Sequence, residues 1–231
     1  MRFSEVVRRA ADASWSKSLR HPFVMGIVRG DLPREKFRFY ILQDIFYLKD
    51  FAKVHAIAAT QSNDFRITAM LAEKAKSTAE AEIGVHKTHA ELLGLTHEAI
   101  EAVRPAPTAF AYTSHMYRAA MSGRLEESIA ALLPCYWLYA EIGRTYRDAQ
   151  PADALYQNWI NTYASDWFQS STQEMIDLFD RLAEEATEKQ RERMKAHFVI
   201  MSEWELAFWE MAYREERWPS ETLSIETGAT R

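Results

Sequence analysis

Ile129-Ala130-Ala131-Leu132-Leu133-Pro134-Cys135-Tyr136-Trp137-Leu138-Tyr139-Ala140 is the longest nearly apolar run in the chain, and its reading decides the fold. It falls well short of the roughly 20 residues that cross a bilayer, and Pro134 interrupts it, so no membrane partner is expected. The run reads as the middle of a buried helix that extends from Leu125 to about Ala149. On either side of it, apolar residues recur at helical spacing, and no segment alternates with period two for long enough to suggest a sheet. The expected fold is all-α. Composition agrees: of 231 residues 48% are hydrophobic and 26% charged, with only 7 glycines and 7 prolines, the balance of a soluble globular protein poor in turns. The net charge of −5 is spread over interspersed residues of both signs and leaves no basic stripe for a phosphate backbone, which argues against nucleic acid as a partner. Met1-Arg2-Phe3-Ser4-Glu5 leads straight into a charged amphipathic pattern without the apolar core of a signal peptide. With one cysteine and no disulfide possible within the chain, this fits a reducing cytoplasm.

Helix punctuation gives one domain, residues 1–219, and a polar tail, residues 220–231. The first helix is expected from Ser4, as N-cap, to about Leu19, followed by a short piece from His21-Pro22 to Gly30. Pro33 opens a long helix through about Gln61, and Asn63-Asp64 starts another that stops at Gly94. A shorter helix lies near Thr96 to Ala102, then Arg104-Pro105-Ala106-Pro107 breaks the chain before a helix to Gly123. Beyond the Leu125 helix, Pro151 opens a piece ending near Tyr163, and another helix runs from about Asp166 to Ala186. Thr187-Glu188-Lys189-Gln190 is a capping box that starts the last long helix, which reaches about Trp218 before Pro219. Long helices joined by short turns make a compact antiparallel bundle, in which ligand sites lie between facing helices.

Polar residues on apolar faces are the candidates for chemistry. Tyr40, Asp44, Tyr47 and Phe51 share one face of the Pro33 helix, which puts a carboxylate in an aromatic stripe. Buried carboxylates are expensive, so Asp44 must be paired, hydrogen-bonded or kept for a ligand. On the last helix Met201, Glu205, Phe208 and Ala212 form a stripe, and Glu205 points inward beside aromatic residues that would raise its pKa and suit it to donate a proton. Cys135 and Tyr139 share a face one turn apart, while Tyr112 and Tyr163 are further tyrosines in apolar surroundings. Taken alone, Cys135 reads as a small packing hydrophobe, because an unassisted thiol is mostly protonated at neutral pH. Glu82, His86 and His89 share a face with the spacing of bundle metal ligands, but no second Glu-x-x-His pair accompanies them, so solvated or helix-pairing histidines are the better reading and no metal is expected.

Gln43-Asp44-Ile45-Phe46-Tyr47-Leu48, Tyr112, Leu133-Pro134-Cys135-Tyr136-Trp137-Leu138-Tyr139, Tyr163 and Ser202-Glu203-Trp204-Glu205-Leu206-Ala207-Phe208-Trp209 together resemble the TenA-type thiaminase II family, the aminopyrimidine aminohydrolases. The resemblance runs from the first helix to about Trp218, and the Pro-Cys-Tyr-Trp run places the chain in the cysteine-bearing branch. It implies a haem-oxygenase-like bundle that binds no haem, usually a homotetramer, with no cofactor. It further implies that Cys135 is the nucleophile, Glu205 the proton donor, and Tyr47 the phenol that makes the thiol more nucleophilic. Asp44, Tyr139 and Tyr163 would contact the substrate, and Tyr112 and Phe208 would pack the pyrimidine. The implied reaction converts 4-amino-5-aminomethyl-2-methylpyrimidine to 4-amino-5-hydroxymethyl-2-methylpyrimidine and ammonia in thiamine salvage, and thiamine could be cut the same way. Two other classes remain open: a non-enzymatic pyrimidine-binding or regulatory protein, and a metal-dependent oxidase of the same helical superfamily using Glu82, His86 and His89.

Overall fold

A computed structural model describes residues 1–221, without the side chains of 81–91 and 97. Glu82, His86 and His89 therefore lie outside the described side chains, and so does the expected polar tail from residue 222 onward. Among the described residues the chain is helical throughout: α1 (Phe3–Ala10), α2 (Asp12–Leu19), α3 (Pro22–Arg29), α4 (Arg34–Thr60), α5 (Phe65–Leu93) and α6 (His97–Glu101) are followed by α7 (Pro107–Ala120), α8 (Leu125–Thr145), α9 (Ala154–Ala164), α10 (Asp166–Glu185) and α11 (Glu188–Arg214).

The apolar run forms the middle of α8, and the helix continues through Pro134. It lies at the centre of the bundle, touching α4, α7, α9, α10 and α11, with Ile129 to Leu133 fully buried. A helix packed on all sides must be apolar all round, which is why this stretch lacks a polar face. The tryptophans divide by depth. Trp15 and Trp159 are core residues, Trp218 is half-buried with its indole donating to the Pro105 carbonyl, and Trp167 is 61% exposed.

Local signals behave as their chemistry dictates. Thr187 and Gln190 form the reciprocal capping box of α11, and Gly94, beyond the end of α5, sits at φ 61, a left-handed conformation suited to glycine. Three expectations are corrected. The first helix is two segments, because Ala11 leaves helical geometry (φ −92, ψ 3). Ser4, Val7, Ala11, Trp15 and Ser18 stay buried across the break, so the periodicity gives no sign of it. Ser4 does not cap α1; its amide and hydroxyl both donate to Asp180 of α10, each at 2.7 Å, so a carboxylate distant in sequence satisfies the first turn. The last helix ends at Arg214 instead of near Trp218. Glu215 adopts φ 51, and the Glu216 amide bonds back to the Met211 carbonyl, which closes the helix before Pro219 is reached.

Candidate active site

Seven helices bring side chains to one cavity and the wall behind it, α5 contributing Ser77 and Thr78 to the lining. On α4, Tyr40, Tyr47 and Phe51 are buried and Asp44 half-buried, all on one inward face. From α8 come Cys135, Tyr136 and Tyr139, from α9 Tyr163, and from α10 Trp167 and Phe168. From α7 and α11 come Tyr112, Glu205 and Phe208. The cavity measures about 140 Å³ and is lined by Asp44, Phe51, Cys135, Tyr136, Tyr139 and Tyr163, with Trp167 and Phe168 on its α10 side. That volume is comparable to the ~150 Å³ known to admit a benzene ring. Its walls are largely aromatic, suited to the faces of a planar ring, and Asp44 supplies a carboxylate at the edge.

Tyr163 reaches the cavity through a close approach of backbones. Cys135, Tyr139 and Gly143 lie one above another on α8, and a Cβ added at Gly143 would collide with the Tyr163 carbonyl group and the Ala164 nitrogen. Glycine at this position is therefore what lets α9 pack against α8. Gln169 of α10 ties the joint, donating to the Ala140 carbonyl at 2.9 Å and the Tyr163 carbonyl at 2.8 Å. The α8–α9 seam thus sets the positions of Tyr139 and Tyr163, whose rings lie 4.7 Å apart.

Behind Cys135 lies a buried polar chain. The Tyr47 hydroxyl donates to the Tyr112 hydroxyl at 3.3 Å, and Tyr112 in turn donates to Glu205 through a short hydrogen bond. The Cys135 thiol lies within electrostatic reach of both Tyr47 and Glu205. Glu205 is 2% exposed, and burial pushes its carboxyl up to about 8 against the opposing hydrogen bond from Tyr112. At neutral pH it therefore holds its proton and can give it up, which fits a general acid. Burial, and then the negative charge of Glu205, push the Cys135 thiol up, while the Tyr47 hydrogen bond favours the thiolate. The thiol is protonated in the resting site, so attack must be coupled to proton transfer to a neighbouring group.

Asp44, Cys135, Tyr139 and Tyr163, four of the eight site residues expected from the sequence, line the cavity directly. Tyr47, Tyr112 and Glu205 form the wall behind the thiol, and Phe208 stands edge-on to Tyr47 and Tyr112 at 5.9 and 6.2 Å without lining the cavity. Sequence reasoning missed Gly143 and Gln169, although the i, i+4, i+8 spacing from Cys135 was a signal for the first. It also missed His55 as a support. His55 is fully buried, its Nδ1 lies 2.8 Å from the Phe51 carbonyl, and its Nε2 accepts from Tyr136 at 3.0 Å. Burial lowers its pKa to about 4, so the neutral ring holds Tyr136 in the cavity wall. Among the described residues no group of three or more metal-ligating side chains comes together.

A thiol, a proton-bearing carboxyl and a second carboxylate converging on a ring-sized aromatic cavity in a helical bundle define a site built for covalent and acid–base chemistry on a small planar ligand. The chain belongs to the TENA/THI-4/PQQC family, whose model matches residues 8–215. It is 47% identical to the aminopyrimidine aminohydrolase of Bacillus subtilis (strain 168), a match covering 100% of this chain and 99% of the relative. Against an aminopyrimidine aminohydrolase of Halalkalibacterium halodurans it is 36% identical, over 94% of this chain and 98% of the other. Among solved structures it superimposes on a TenA homologue from P. horikoshii OT3 with a TM-score of 0.86 and 30% identity, covering 93% of this chain and 99% of that one. A heme oxygenase-like domain from Shewanella denitrificans shares the fold at a TM-score of 0.72 and 12% identity, over 91% and 92% of the two chains. The expected haem-oxygenase-like bundle is thus the observed one.

Proposed function

We propose that this chain hydrolyses 4-amino-5-aminomethyl-2-methylpyrimidine to 4-amino-5-hydroxymethyl-2-methylpyrimidine and ammonia in thiamine salvage, with Cys135 as covalent nucleophile. The relatives at 47% and 36% identity support the aminohydrolase activity. The observation that carries the covalent route is the thiol of Cys135 at the cavity wall, within electrostatic reach of a Glu205 tuned to about 8. Asp44 accepts a hydrogen bond from the 4-amino group on the amidine edge of the ring, while Tyr139 and Tyr163 contact the ring from the α8–α9 seam and fix its pose. Tyr112 and Phe208 pack the side of the site occupied by the wall behind the thiol.

In the first half-reaction Glu205 gives its proton to the amine, the sulfur adds to the ring carbon next to the one bearing the side chain, and the thiol proton takes the place left on Glu205. The electron pair displaced from the ring expels the protonated amine as ammonia. In the second half Glu205 gives its proton to the departing sulfur and takes one from water as the oxygen adds to the exocyclic methylene. The carbon–sulfur bond breaks, the ring regains its aromaticity, and both Cys135 and Glu205 are left protonated, as at rest. Thiamine enters the same scheme with its thiazole as the leaving group.

The test is mass spectrometry of the protein incubated with the aminopyrimidine, alongside an ammonia assay. The wild-type chain is expected to give the hydroxymethyl product through a transient adduct on Cys135. Cys135→Ser is expected to lose at least about 10³-fold in turnover while still binding the pyrimidine. Wild-type turnover in that variant would rule out covalent catalysis, and binding without any product would favour a carrier or regulator. The reading extends to the cysteine-bearing branch of the family, a cytoplasmic location and a homotetramer; light scattering at working concentration tests the assembly.

A further inference from the structure

The cavity, at about 140 Å³, has room for one ring. Thiamine carries a second ring beyond the methylene, and Glu205, behind the thiol, can meet only the atom bonded to that methylene. The remainder of so large a leaving group must extend through the open side of the cavity. Thr162 and Trp167 are the exposed residues of the cavity lining, so the open side lies between α9 and α10.

A second, outer pocket of about 360 Å³ begins there. It shares Ser77, Trp167 and Ser171 with the cavity, and its further walls include Lys74, Ser170 and Glu174. Lys74 is the cation nearest the join, and it is only 6% exposed. Its ammonium donates to the Ser171 hydroxyl at 2.8 Å, the Ser171 carbonyl at 3.3 Å and Glu174 at 3.0 Å. An ammonium has three protons, so Lys74 has none left for an anionic ligand, and Glu174 balances its charge. Glu73, on the rim, is offset by Lys76 at 3.7 Å. The ion pairs thus cancel, and the indole of Trp167, 61% exposed, is the largest recognition surface at the join. Its π face favours flat rings and, above all, cations, for which tryptophan is the best of the aromatic side chains.

We propose that the outer pocket is a leaving-group subsite in which Trp167 stacks a cationic heteroaromatic ring, making it the residue that selects for a bulky leaving group such as the thiazolium of thiamine over ammonia. The proposal rests on the pyrimidine hydrolase reading of the cavity. Stacking of this kind is present before and during bond cleavage, so it lowers KM for thiamine more than it raises kcat.

The experiment measures kcat/KM for thiamine and for the aminopyrimidine with the wild-type chain, Trp167→Ala, Trp167→Phe and Ser170→Arg. In Trp167→Ala the thiamine to aminopyrimidine ratio is expected to fall about tenfold, chiefly through KM, and Trp167→Phe should recover part of it. Ser170 is exposed and lines only the outer pocket. An arginine there adds bulk and positive charge at the surface, so it should lower the same ratio by about tenfold while the aminopyrimidine rate stays within about twofold of wild type. A purely structural role for Trp167 would depress both substrates alike and preserve the ratio. A ratio unchanged in Trp167→Ala and in Ser170→Arg overturns the proposal, as does a wild type that hydrolyses the aminopyrimidine but neither binds nor cleaves thiamine. Should Trp167→Ala fail to fold, Ser170→Arg decides it. Calorimetry in a Cys135→Ser background reads binding without turnover, and there Trp167→Ala should raise the thiamine Kd about tenfold. A wild type that releases no ammonia overturns the hydrolase reading, and that Kd comparison then decides the subsite by itself.

Discussion

Glu205 is the residue whose surroundings say most about how the site works. Its carboxyl sits at about 8 because burial disfavours its charge. The catalytic acid must be protonated, so kcat/KM is expected to fall as pH rises through about 8, and a pH–rate profile checks it. The same shift has a consequence for stability. A carboxyl whose folded pKa lies above its unfolded value favours folding fully only below the unfolded value, and the advantage is lost as pH rises toward the folded one. Glu205→Gln, which cannot ionise, should therefore abolish ammonia release while raising stability relative to wild type, by on the order of 2 kcal/mol at pH 8 and by little at pH 4.5. Thermal melts across that range measure the difference, and a pH-independent gap would contradict it. The inward face of Glu205 was legible from the Met201, Glu205, Phe208, Ala212 spacing. Its contact with Tyr112 was not, because the two lie 93 residues apart.

At the scale of the element, the α8–α9 seam is the feature on which the cavity depends. Gly143 allows the Tyr163 backbone to lie directly on α8, and Gln169 bonds the carbonyls on either side. Gly143→Ala is expected to push α9 outward, costing about 2 kcal/mol in stability and reducing affinity for the pyrimidine through the displaced Tyr163. Denaturant melts and a binding titration test the two effects together; a variant with native stability and affinity would show that the seam tolerates a methyl group. Helix extents were largely readable from capping residues, as the Thr187–Gln190 box shows. Where they were misread, other groups had taken over: Ser4 lies inside α1 and gives its own amide and hydroxyl to Asp180 instead of capping the helix, and the left-handed backbone of Glu215 ends α11 before Pro219 can.

At the scale of the molecule, Asp180 fastens the N-terminal helix to the bundle, receiving bonds from the Ser4 amide and hydroxyl and from Arg2 across more than 170 residues of sequence. Asp180→Ala strands the Ser4 groups in a buried setting and should cost about 1–3 kcal/mol, with activity at low temperature preserved because the cavity is remote from α1. Acid acts on the whole bundle through its neutral histidines. Burial lowers His55 and His115 to about 4, and His115 Nε2 lies 3.1 Å from His197 Nδ1, joining α7 to α11. A histidine with a depressed folded pKa contributes stability above its unfolded value near 6.5, and that contribution is lost as pH falls toward 4. His115→Gln should flatten the fall in Tm between pH 6.5 and 4.5, and an unchanged slope would argue against it. The sequence alone determined the all-helical class, most helix positions and which polar residues face inward, because these depend on periodicity and capping chemistry that act over a few residues. Only the tertiary structure decided that Cys135, Asp44 and the tyrosines meet at one ring-sized cavity with Glu205 behind the thiol. Contacts between helices depend on packing across the whole chain, and so does the burial that moves Glu205 to about 8 and changes a packing thiol into a candidate nucleophile.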